Sequence, residues 1–318
     1  MIPAISAEGL TKMYSSGLGC RGITLSVGQG EAFGFLGPNG AGKSTFVKML
    51  VGLVRPSGGS AAILGHPVGS LEARRRIGYL PELFRYQEWL TGREVLELHA
   101  KLCGLKGSAA ERRILQLLDA VGIGQRAGDR VKHYSKGMQQ RLGLACALIS
   151  DPPVVFLDEP ASALDPLGRR EVRELLIQLR REGKTVFLNT HLLEDVELLC
   201  DRVALLHQGE ILHLGSVAGM LQEKTRWRFR VGGFLLSGLA ELCRAADLPI
   251  TLSEEGGEGG LESVWLEAEV ESDEQLGWVN HQLMAHGLTL YEVVPAKNKL
   301  DEWFYGAVAG RAQGREQG

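Results

Sequence analysis

The residues best suited to carry chemistry form a glycine-rich segment between an apolar run and an amphipathic stretch. Glycines let the backbone curl so that successive N–H groups point inward, beside the positive end of the helix expected to follow. This spacing is typical of a phosphate-binding loop, with Lys43 on the β and γ phosphates and the Ser44 hydroxyl on Mg²⁺. Every residue of the segment is a candidate nucleotide ligand: Gly37-Pro38-Asn39-Gly40-Ala41-Gly42-Lys43-Ser44-Thr45.

A pair of adjacent carboxylates follows a second apolar run. Residues 154–157 are apolar, and Asp158 and Glu159 come directly after them. Ligands of parallel α/β sheets bind outside the carboxyl ends of the strands, so we expect this pair beside the phosphate-binding loop. Asp158 would then hold Mg²⁺ through its water shell, and Glu159 would orient and deprotonate the attacking water. Without the loop, the same pattern would fit an ordinary strand end.

A histidine follows a third apolar run. His191 comes after residues 185–188, with Asn189 and Thr190 between them. A lone histidine is usually a surface or capping residue. At a strand tip beside the γ phosphate, however, an imidazole would hydrogen-bond both phosphate and carboxylate. We therefore take His191, with Glu159 and Lys43, as a candidate catalytic residue.

The elements that must position these residues are indicated by hydrophobic periodicity between residues 31 and 217. Short apolar runs, such as Ala32–Leu36, alternate with amphipathic stretches, such as residues 139–148. This alternation predicts a buried, mostly parallel sheet covered by helices. Residues 90–121 are predicted to be helical throughout, as an insertion. Leucines recur on its faces: Leu96, Leu102, Leu105, Leu115 and Leu118.

The pattern of predicted strands and helices changes after residue 219. The order of predicted elements there is βαββαβ, which indicates a small α+β domain of the ferredoxin-like kind. Residues 251–274 are acidic, around a loop at 254–260 that holds only Gly and Glu. This stretch is either a solvated face or an ionic docking surface. We expect disorder at 310–318. The predicted strands are 227–231, 250–252, 264–270 and 288–294, and the predicted helices are 235–246 and 274–286.

Composition places the chain among globular proteins of about two domains, with 318 residues of which 44% are hydrophobic and 23% charged. The net charge of −3 gives no bulk field that would attract nucleic acid or anionic lipid. The five cysteines stand singly, which favours reduced thiols over disulfides or a zinc site. We expect neither a signal peptide nor a membrane span, which would need about 20 apolar residues.

A further segment narrows the interpretation: Tyr134-Ser135-Lys136-Gly137-Met138-Gln139-Gln140-Arg141, at the start of a predicted helix. With the phosphate-binding loop and the Asp158–Glu159 strand, this order of motifs resembles the nucleotide-binding subunit of ATP-binding cassette (ABC) transporters over about residues 5–220. The resemblance implies an α/β P-loop NTPase with a RecA-like core, a helical insertion at about 85–150 and an N-terminal β-subdomain. With this domain taken as 1–220, the sequence pattern assigns 221–310 to an accessory domain and 311–318 to a disordered tail.

Residues 134–141, called the signature segment from here on, offer a second anion site. Ser135 and the Gly137 N–H lie at a helix N-terminus, which the chain's own phosphate-binding loop cannot reach if the helical insertion separates them. The resemblance implies a head-to-tail homodimer that sandwiches two ATP molecules, in which Ser135, Gly137 and Gln139 contact the partner's nucleotide. It also implies that residues 162–165 cross the interface and that Tyr14 stacks on adenine, although an aromatic near an N-terminus is more often a core residue.

Two positions depart from the family pattern. The segment Ile77-Gly78-Tyr79-Leu80-Pro81-Glu82 ends in Glu82, where the family usually has Gln, and Lys136 replaces a glycine of the signature. Glu82 keeps an oxygen ligand for Mg²⁺ but adds negative charge beside the triphosphate.

Three aromatic residues follow Glu82 in the chain. Phe84, Tyr86 and Trp89 would either anchor a membrane partner or pack internally.

The resemblance implies a Mg²⁺-dependent ATPase that powers a separately encoded transmembrane permease, of the exporter type, from the inner face of the cell membrane. One alternative is a mechanical ABC ATPase acting on ribosomes or nucleic acid. Such proteins usually carry two cassettes or basic tracts, whereas this chain has one cassette and a net charge of −3. An ordinary P-loop kinase or GTPase would leave the signature segment without a role. We do not expect this sequence to reveal which molecule is transported, because the permease forms the pathway through which that molecule passes.

Overall fold

The structure is a computed structural model that describes residues 2–221, 225–234, 238–253 and 263–295. The chain divides into two compact units, Met1–Val217 and Ala218–Gly318. The predicted Gly–Glu loop at 254–260, the first residues of the helix predicted at 235–246, and the tail at 310–318 lie outside the described residues. Among the helices that the structure describes, none has both the length and the apolar character required to cross a bilayer.

The first unit contains seventeen helices and strands within its described residues, with two short 3-10 turns at Gly124–Arg126 and Val131–His133. In chain order they are β1 (Ile5–Met13), β2 (Gly19–Val27), β3 (Ala32–Leu36), α1 (Lys43–Leu50), β4 (Gly58–Ile63), β5 (His66–Pro67), α2 (Leu71–Arg74), β6 (Ile77–Leu80), α3 (Gly92–Leu102), α4 (Gly107–Ala120), α5 (Lys136–Leu148), β7 (Val154–Asp158), α6 (Pro166–Arg181), β8 (Thr185–Asn189), α7 (Leu193–Leu199), β9 (Arg202–His207) and β10 (Glu210–Ser216). A short helix, α8 (Val217–Leu221), follows at the boundary.

Two sheets build this unit. An antiparallel sheet has the order β2-β1-β4-β5. The larger sheet has the order β10-β9-β3-β8-β7-β6, in which every neighbouring pair is parallel except β10 with β9. All residues of β3, β7 and β8 are buried, which is why these strands read as continuous apolar runs. The mostly parallel, helix-covered sheet predicted from the sequence is therefore present.

An aromatic cluster fills the centre of this sheet. The ring centroid of Phe187, on β8, lies 5.4 Å from Phe35 and from Phe156 and 5.5 Å from Phe33. Phe46 of α1 joins them at 6.3 Å. All five side chains are fully buried. The cluster therefore fixes β3, β7 and α1, the elements that carry the predicted site, against one another.

The predicted insertion at 90–121 is largely helical, but it is not helical throughout. It is two helices, α3 and α4, separated at residues 103–106. Gly104 adopts a φ of +82° there, a left-handed conformation that ends a helix. Leu96 and Leu118 are buried, but Leu102 and Leu115 are 76% and 50% exposed, so these two leucines do not lie on the buried faces.

The second unit has the element order βαββαβ. Its elements are β11 (Thr225–Gly232), α9 (Leu239–Ala246), β12 (Ile250–Leu252), β13 (Ser263–Val270), α10 (Asp273–Ala285) and β14 (Thr289–Pro295). The strands form one antiparallel sheet in the order β12-β13-β11-β14. Phe229 and Leu266 of this sheet share a buried core with Val279 and Leu283 of α10.

Candidate nucleotide-binding and catalytic site

The glycine-rich segment forms the connection between β3 and α1, as the sequence predicted. Gly37 and Gly42 adopt φ angles of +156° and +105°. A Cβ atom at Gly37 would lie 2.3 Å from the carbonyl oxygen of Leu206, and one at Gly42 would lie 2.1 Å from that of Gly19. Larger residues cannot take these positions without moving the backbone, so the close turn that leads into α1 depends on glycine.

Lys43 occupies the interior of this turn. Its Nζ donates to the carbonyl oxygens of Gly37 at 2.7 Å and Pro38 at 3.2 Å, and the residue is only 7% exposed. Burial lowers the pKa of Lys43, while the nearby carboxylates of Glu159, Asp158 and Glu82 act in the opposite direction. The ammonium group is thus held by neutral carbonyls, which phosphate oxygens would replace as stronger, charge-assisted acceptors.

The turn opens into a cavity of about 320 Å³, a size that suits a small ligand. The cavity brings together the phosphate-binding loop and all three carboxylates that the sequence analysis selected. Asn189 also contributes, although the sequence analysis gave it no role. The lining residues are Leu18, Gly19, Asn39, Gly40, Gly42, Lys43, Ser44, Thr45, Glu82, Asp158, Glu159 and Asn189.

Asp158 ends β7 and is 1% exposed. Burial raises the pKa of its carboxyl to about 6, and the negative charges of Glu82 and Glu159 add to that effect. A hydrogen bond from Nδ2 of Asn189 to Oδ1 of Asp158 and the charge of Lys43 oppose it. The cavity therefore places Asp158 where a cation would relieve an electrostatic cost.

Glu159 follows in a left-handed conformation, with φ +52°. Its N–H donates to the carbonyl oxygen of Asn189 at 2.8 Å, and its own carbonyl oxygen accepts from Nε2 of Gln140 at 3.1 Å. Its Oε1 lies 2.8 Å from Nδ1 of His191. Its Oε2 is buried without a hydrogen-bond partner in the structure. The backbone is thus fixed from two sides, and one carboxylate oxygen remains free to accept.

The oxygen groups around the cavity suit Mg²⁺. Ser44, Glu82 and Asp158 supply a hydroxyl and two carboxylates to the same space. Within the described residues, no three His, Cys, Asp or Glu side chains come together as a metal-binding group. A protein-only cage is not required, since Mg²⁺ is usually held by one or two carboxylates together with waters and substrate phosphates. The donor set therefore fits Mg²⁺ bound with a nucleotide.

The signature segment does not line this cavity. Ser135 is the N-cap of α5 and accepts from the N–H of Met138 at 3.2 Å, so the segment begins a helix as predicted. Nε2 of Gln139 donates to the carbonyl oxygen of Tyr134 at 3.3 Å. Ser135 and Lys136 are both exposed. Ser135, Gly137 and Gln139 are therefore absent from the lining of the cavity that holds the chain's own phosphate-binding loop.

Two other predicted site residues and the predicted interface segment are absent from the cavity lining. Tyr14 is 42% exposed, so it is not a core residue, and Nζ of Lys12 lies 5.8 Å from its ring centroid. The side chain of His191 is 58% exposed and reaches the cavity through Glu159. The predicted interface segment at 162–165 has exposed Ser162 and Asp165 at its ends.

The structure places the aromatic residues after Glu82 in two different environments. The rings of Phe84 and Tyr86 lie 5.3 Å apart, and that of Tyr86 lies 5.8 Å from His99 of α3. Burial strongly raises the pKa of the Tyr86 phenol. These two therefore pack internally, whereas Trp89 and Leu83 are 71% and 87% exposed.

Asn189 is the polar side chain of the cavity lining that the sequence analysis missed; Leu18 and Gly19 also line the cavity without having been selected. The position of Asn189 in the sequence could have marked it as a site residue. Asn189 ends the apolar run that precedes His191, just as Asp158 ends the apolar run of β7. The register of the two strands places Asp158 opposite Asn189. Asparagine has no charge or nucleophilic group, so its type alone did not mark it.

The fold and this cavity define an α/β protein of the P-loop nucleotide-binding class. A family model described as ABC transporter matches residues 20–162. A fluoroquinolones export ATP-binding protein of Mycobacterium tuberculosis is 42% identical over 231 residues, which cover 71% of this chain and 75% of that protein. The chain therefore belongs to the family of ABC transporter ATP-binding proteins.

Two further comparisons agree with this assignment. An ABC transporter ATP-binding protein of Synechocystis is 46% identical over 221 residues, which cover 67% of this chain and 62% of that relative's length. A solved dimeric ATP-binding cassette, in a post-hydrolysis state with ADP and Pi, is 27% identical with a TM-score of 0.62, covering 67% of this chain and 98% of that one. The resemblance recognised in the order of motifs is confirmed. The transport names of these relatives favour transport over the ribosomal or nucleic-acid alternative.

Proposed function

We propose that this chain binds MgATP and hydrolyses it to drive a separate transmembrane permease. The observation that carries the proposal is the meeting of Lys43, Asp158 and Glu159 in one cavity. A phosphate group near Lys43 would lie beside one carboxylate suited to a cation and another with an unused oxygen. This set of groups matches the needs of phosphoryl transfer to water, which depends mainly on positioning and charge stabilisation.

Within that reaction, the chain's own residues have separate roles. Lys43 would exchange its carbonyl partners for phosphate oxygens, and the loop N–H groups would bind the remaining phosphate oxygens. Oε2 of Glu159 would accept a proton from the attacking water, while Nδ1 of His191 donates to Oε1 and holds the carboxylate in place. Asp158, Ser44 and Glu82 would hold Mg²⁺. Charge neutralisation at the phosphates would come from that ion when it is bound.

The position of the signature segment supports a head-to-tail homodimer. Ser135 is exposed at the N-terminus of a 13-residue helix and is absent from the cavity lining of its own chain. The helix N-terminus offers N–H donors to an anion. In a sandwich of two copies, Ser135, Gly137 and Gln139 would complete the partner's ATP site. The related solved cassette is described as a dimer.

We further propose that the transport is export and that the chain works at the inner face of the membrane, where ATP is available. The Mycobacterium tuberculosis relative is named a fluoroquinolones export protein, which supports this direction. Residues 1–220 would form the nucleotide-binding domain. Residues 221–310 would form an accessory domain for dimerisation or regulation. The βαββαβ order and the antiparallel sheet of its described residues support a ferredoxin-like fold for this domain.

The sandwich can be tested with a hydrolysis-deficient Glu159→Gln chain analysed by light scattering after gel filtration. With MgATP we expect a dimer, and without nucleotide a monomer. Adding Ser135→Arg to the same chain should return it to a monomer, since the bulky cation would occupy the shared site. Ser57→Arg, at an exposed serine just before β4, serves as the matched control. A nucleotide-bound chain that stays monomeric throughout would contradict the homodimer.

The transport role requires a second experiment. The chain would be captured from detergent-solubilised membranes, and its partners identified by mass spectrometry. A multi-spanning membrane protein should be recovered. Recovery of ribosomes instead would contradict the transport proposal and favour a mechanical ATPase.

A further inference from the structure

Asn189 combines three features at the carboxyl end of β8. Its side chain is 1% exposed, and its Nδ2 donates to Oδ1 of Asp158. Its carbonyl oxygen accepts from the N–H of Glu159 at 2.8 Å. Its side-chain Oδ1 is buried and has no hydrogen-bond partner in the structure. One residue therefore bonds to the carboxylate of Asp158 and to the backbone N–H of Glu159, and it still presents an unused acceptor.

The orientation of the amide follows from its neighbour. A carboxylate only accepts hydrogen bonds, so the NH2 group of Asn189 must face Asp158. The reversed amide would place two acceptors against each other. The side-chain oxygen Oδ1 of Asn189 is consequently turned away from the carboxylate of Asp158. Asn189 itself is one of the residues that line the cavity. A buried acceptor without a donor costs free energy, so this atom favours a ligand that brings an O–H group.

The hydrogen bond to Asp158 has a chemical consequence. It occupies Oδ1 of that carboxylate and leaves Oδ2 as the oxygen available to a cation. Hydrogen bonds from neighbouring groups that fix metal-ligating side chains are known to control metal affinity. A hydrogen bond to the charged form also opposes protonation of a carboxylate that is otherwise desolvated.

We propose that Asn189 is a positioning residue for the metal–nucleotide site, which orients Asp158 through its NH2 group and accepts a hydrogen bond through Oδ1 from a water held with Mg²⁺. The inference rests on the proposed function. It assigns to Asn189 a role in Mg²⁺-dependent nucleotide binding that is separate from the contacts of the phosphate-binding loop.

The test compares nucleotide affinity in Mg²⁺ with affinity in EDTA, measured on the full chain with a fluorescent ATP analogue. In the wild-type chain the ratio of the two dissociation constants reports the gain from Mg²⁺. Asn189→Leu keeps the approximate shape but removes both polar groups, and Asn189→Ala decides the matter if the leucine variant does not fold. We expect the Mg²⁺ gain to fall about 10- to 100-fold, with the dissociation constant in EDTA unchanged.

The matched control is Asn280→Leu. Oδ1 of Asn280 is also buried without a hydrogen-bond partner in the structure, but this residue lies on α10 of the second unit. The control should retain the wild-type Mg²⁺ gain. An unchanged gain in the Asn189 variants would overturn the inference, and so would an equal loss of affinity in Mg²⁺ and in EDTA, which would indicate a merely structural role. Failure of the wild-type chain to bind nucleotide in either condition would instead contradict the proposed function.

Discussion

Nδ1 of His191 lies 2.8 Å from Oε1 of Glu159, although the two residues are 32 positions apart in the chain. Glu159 follows β7 and His191 comes just after β8, and these two strands are parallel neighbours in the sheet. The contact holds one oxygen of the carboxylate and leaves Oε2 buried without a hydrogen-bond partner in the structure. This pairing separates the two tasks expected of a general base, since one oxygen fixes the orientation and the other accepts the proton.

Glu159→Gln should lower ATP turnover by about 10²- to 10⁴-fold, as expected for the loss of a general base. Nucleotide binding should survive, because the substitution leaves Lys43 and the phosphate-binding loop intact. Phosphate release and equilibrium ATP binding would be measured on the same preparation. Glu174→Gln, at an exposed position of α6, should retain wild-type turnover. Turnover near the wild-type rate in Glu159→Gln would remove Glu159 from this role.

Lys43→Ala should abolish nucleotide binding itself, because it removes the buried cation of the phosphate-binding loop. The measurement is titration calorimetry with ATP and Mg²⁺. Lys48→Ala is the matched control, since Lys48 lies on the same helix, α1, but is exposed. If Lys43→Ala bound ATP as tightly as this control, the assignment of the phosphate-binding loop would be wrong.

Phe187→Ala should destabilise the first unit by about 3–5 kcal/mol, the usual cost of truncating a buried aromatic side chain. The ring of Phe187 contacts those of Phe33, Phe35 and Phe156, so a cavity would open between β3, β7 and β8. Urea denaturation would report the loss. Leu53→Ala, at a leucine that is 66% exposed, should change stability by less than about 0.5 kcal/mol. Similar effects for both variants would contradict the central role of the cluster.

Asp151→Asn should lower stability at neutral pH and lose this effect in acid. The hydrogen bond from Nζ of Lys184, 2.6 Å from Oδ1, lowers the pKa of Asp151 below its ordinary value of 3.8, and the charges of Lys184 and Arg113 act in the same direction. A lowered folded-state pKa gives stability that is present above 3.8 and lost as pH falls through the folded value.

The Asp151 effect should be small, at most about 1 kcal/mol, because the side chain is 64% exposed and solvent screens the pair. Its backbone φ is +54°, a conformation that asparagine tolerates well, so the substitution adds little strain. Urea denaturation as a function of pH would measure it. A stability difference that persisted at pH values below the folded pKa would show that the ion pair is not its cause.

The sequence alone determined those features that depend on local spacing. The segment from Gly37 to Thr45 specifies the phosphate-binding turn, because its glycines sit where side chains would strike the backbone. Continuous apolar runs specified the buried strands β3, β7 and β8, since a strand covered on both faces needs apolar residues at every position. Asp158, the carboxylate that ends β7, was recognisable from its position at the end of such a run.

Only the tertiary structure decided which of these groups meet. The strand order β3-β8-β7 is not the chain order, so spacing could not show that Asn189 bonds to Asp158 or that Tyr86 packs on His99. The break between α3 and α4 likewise depends on the left-handed backbone at Gly104. Contacts between distant segments follow from how whole elements pack, because burying the apolar faces of the sheet selects one arrangement of strands and helices.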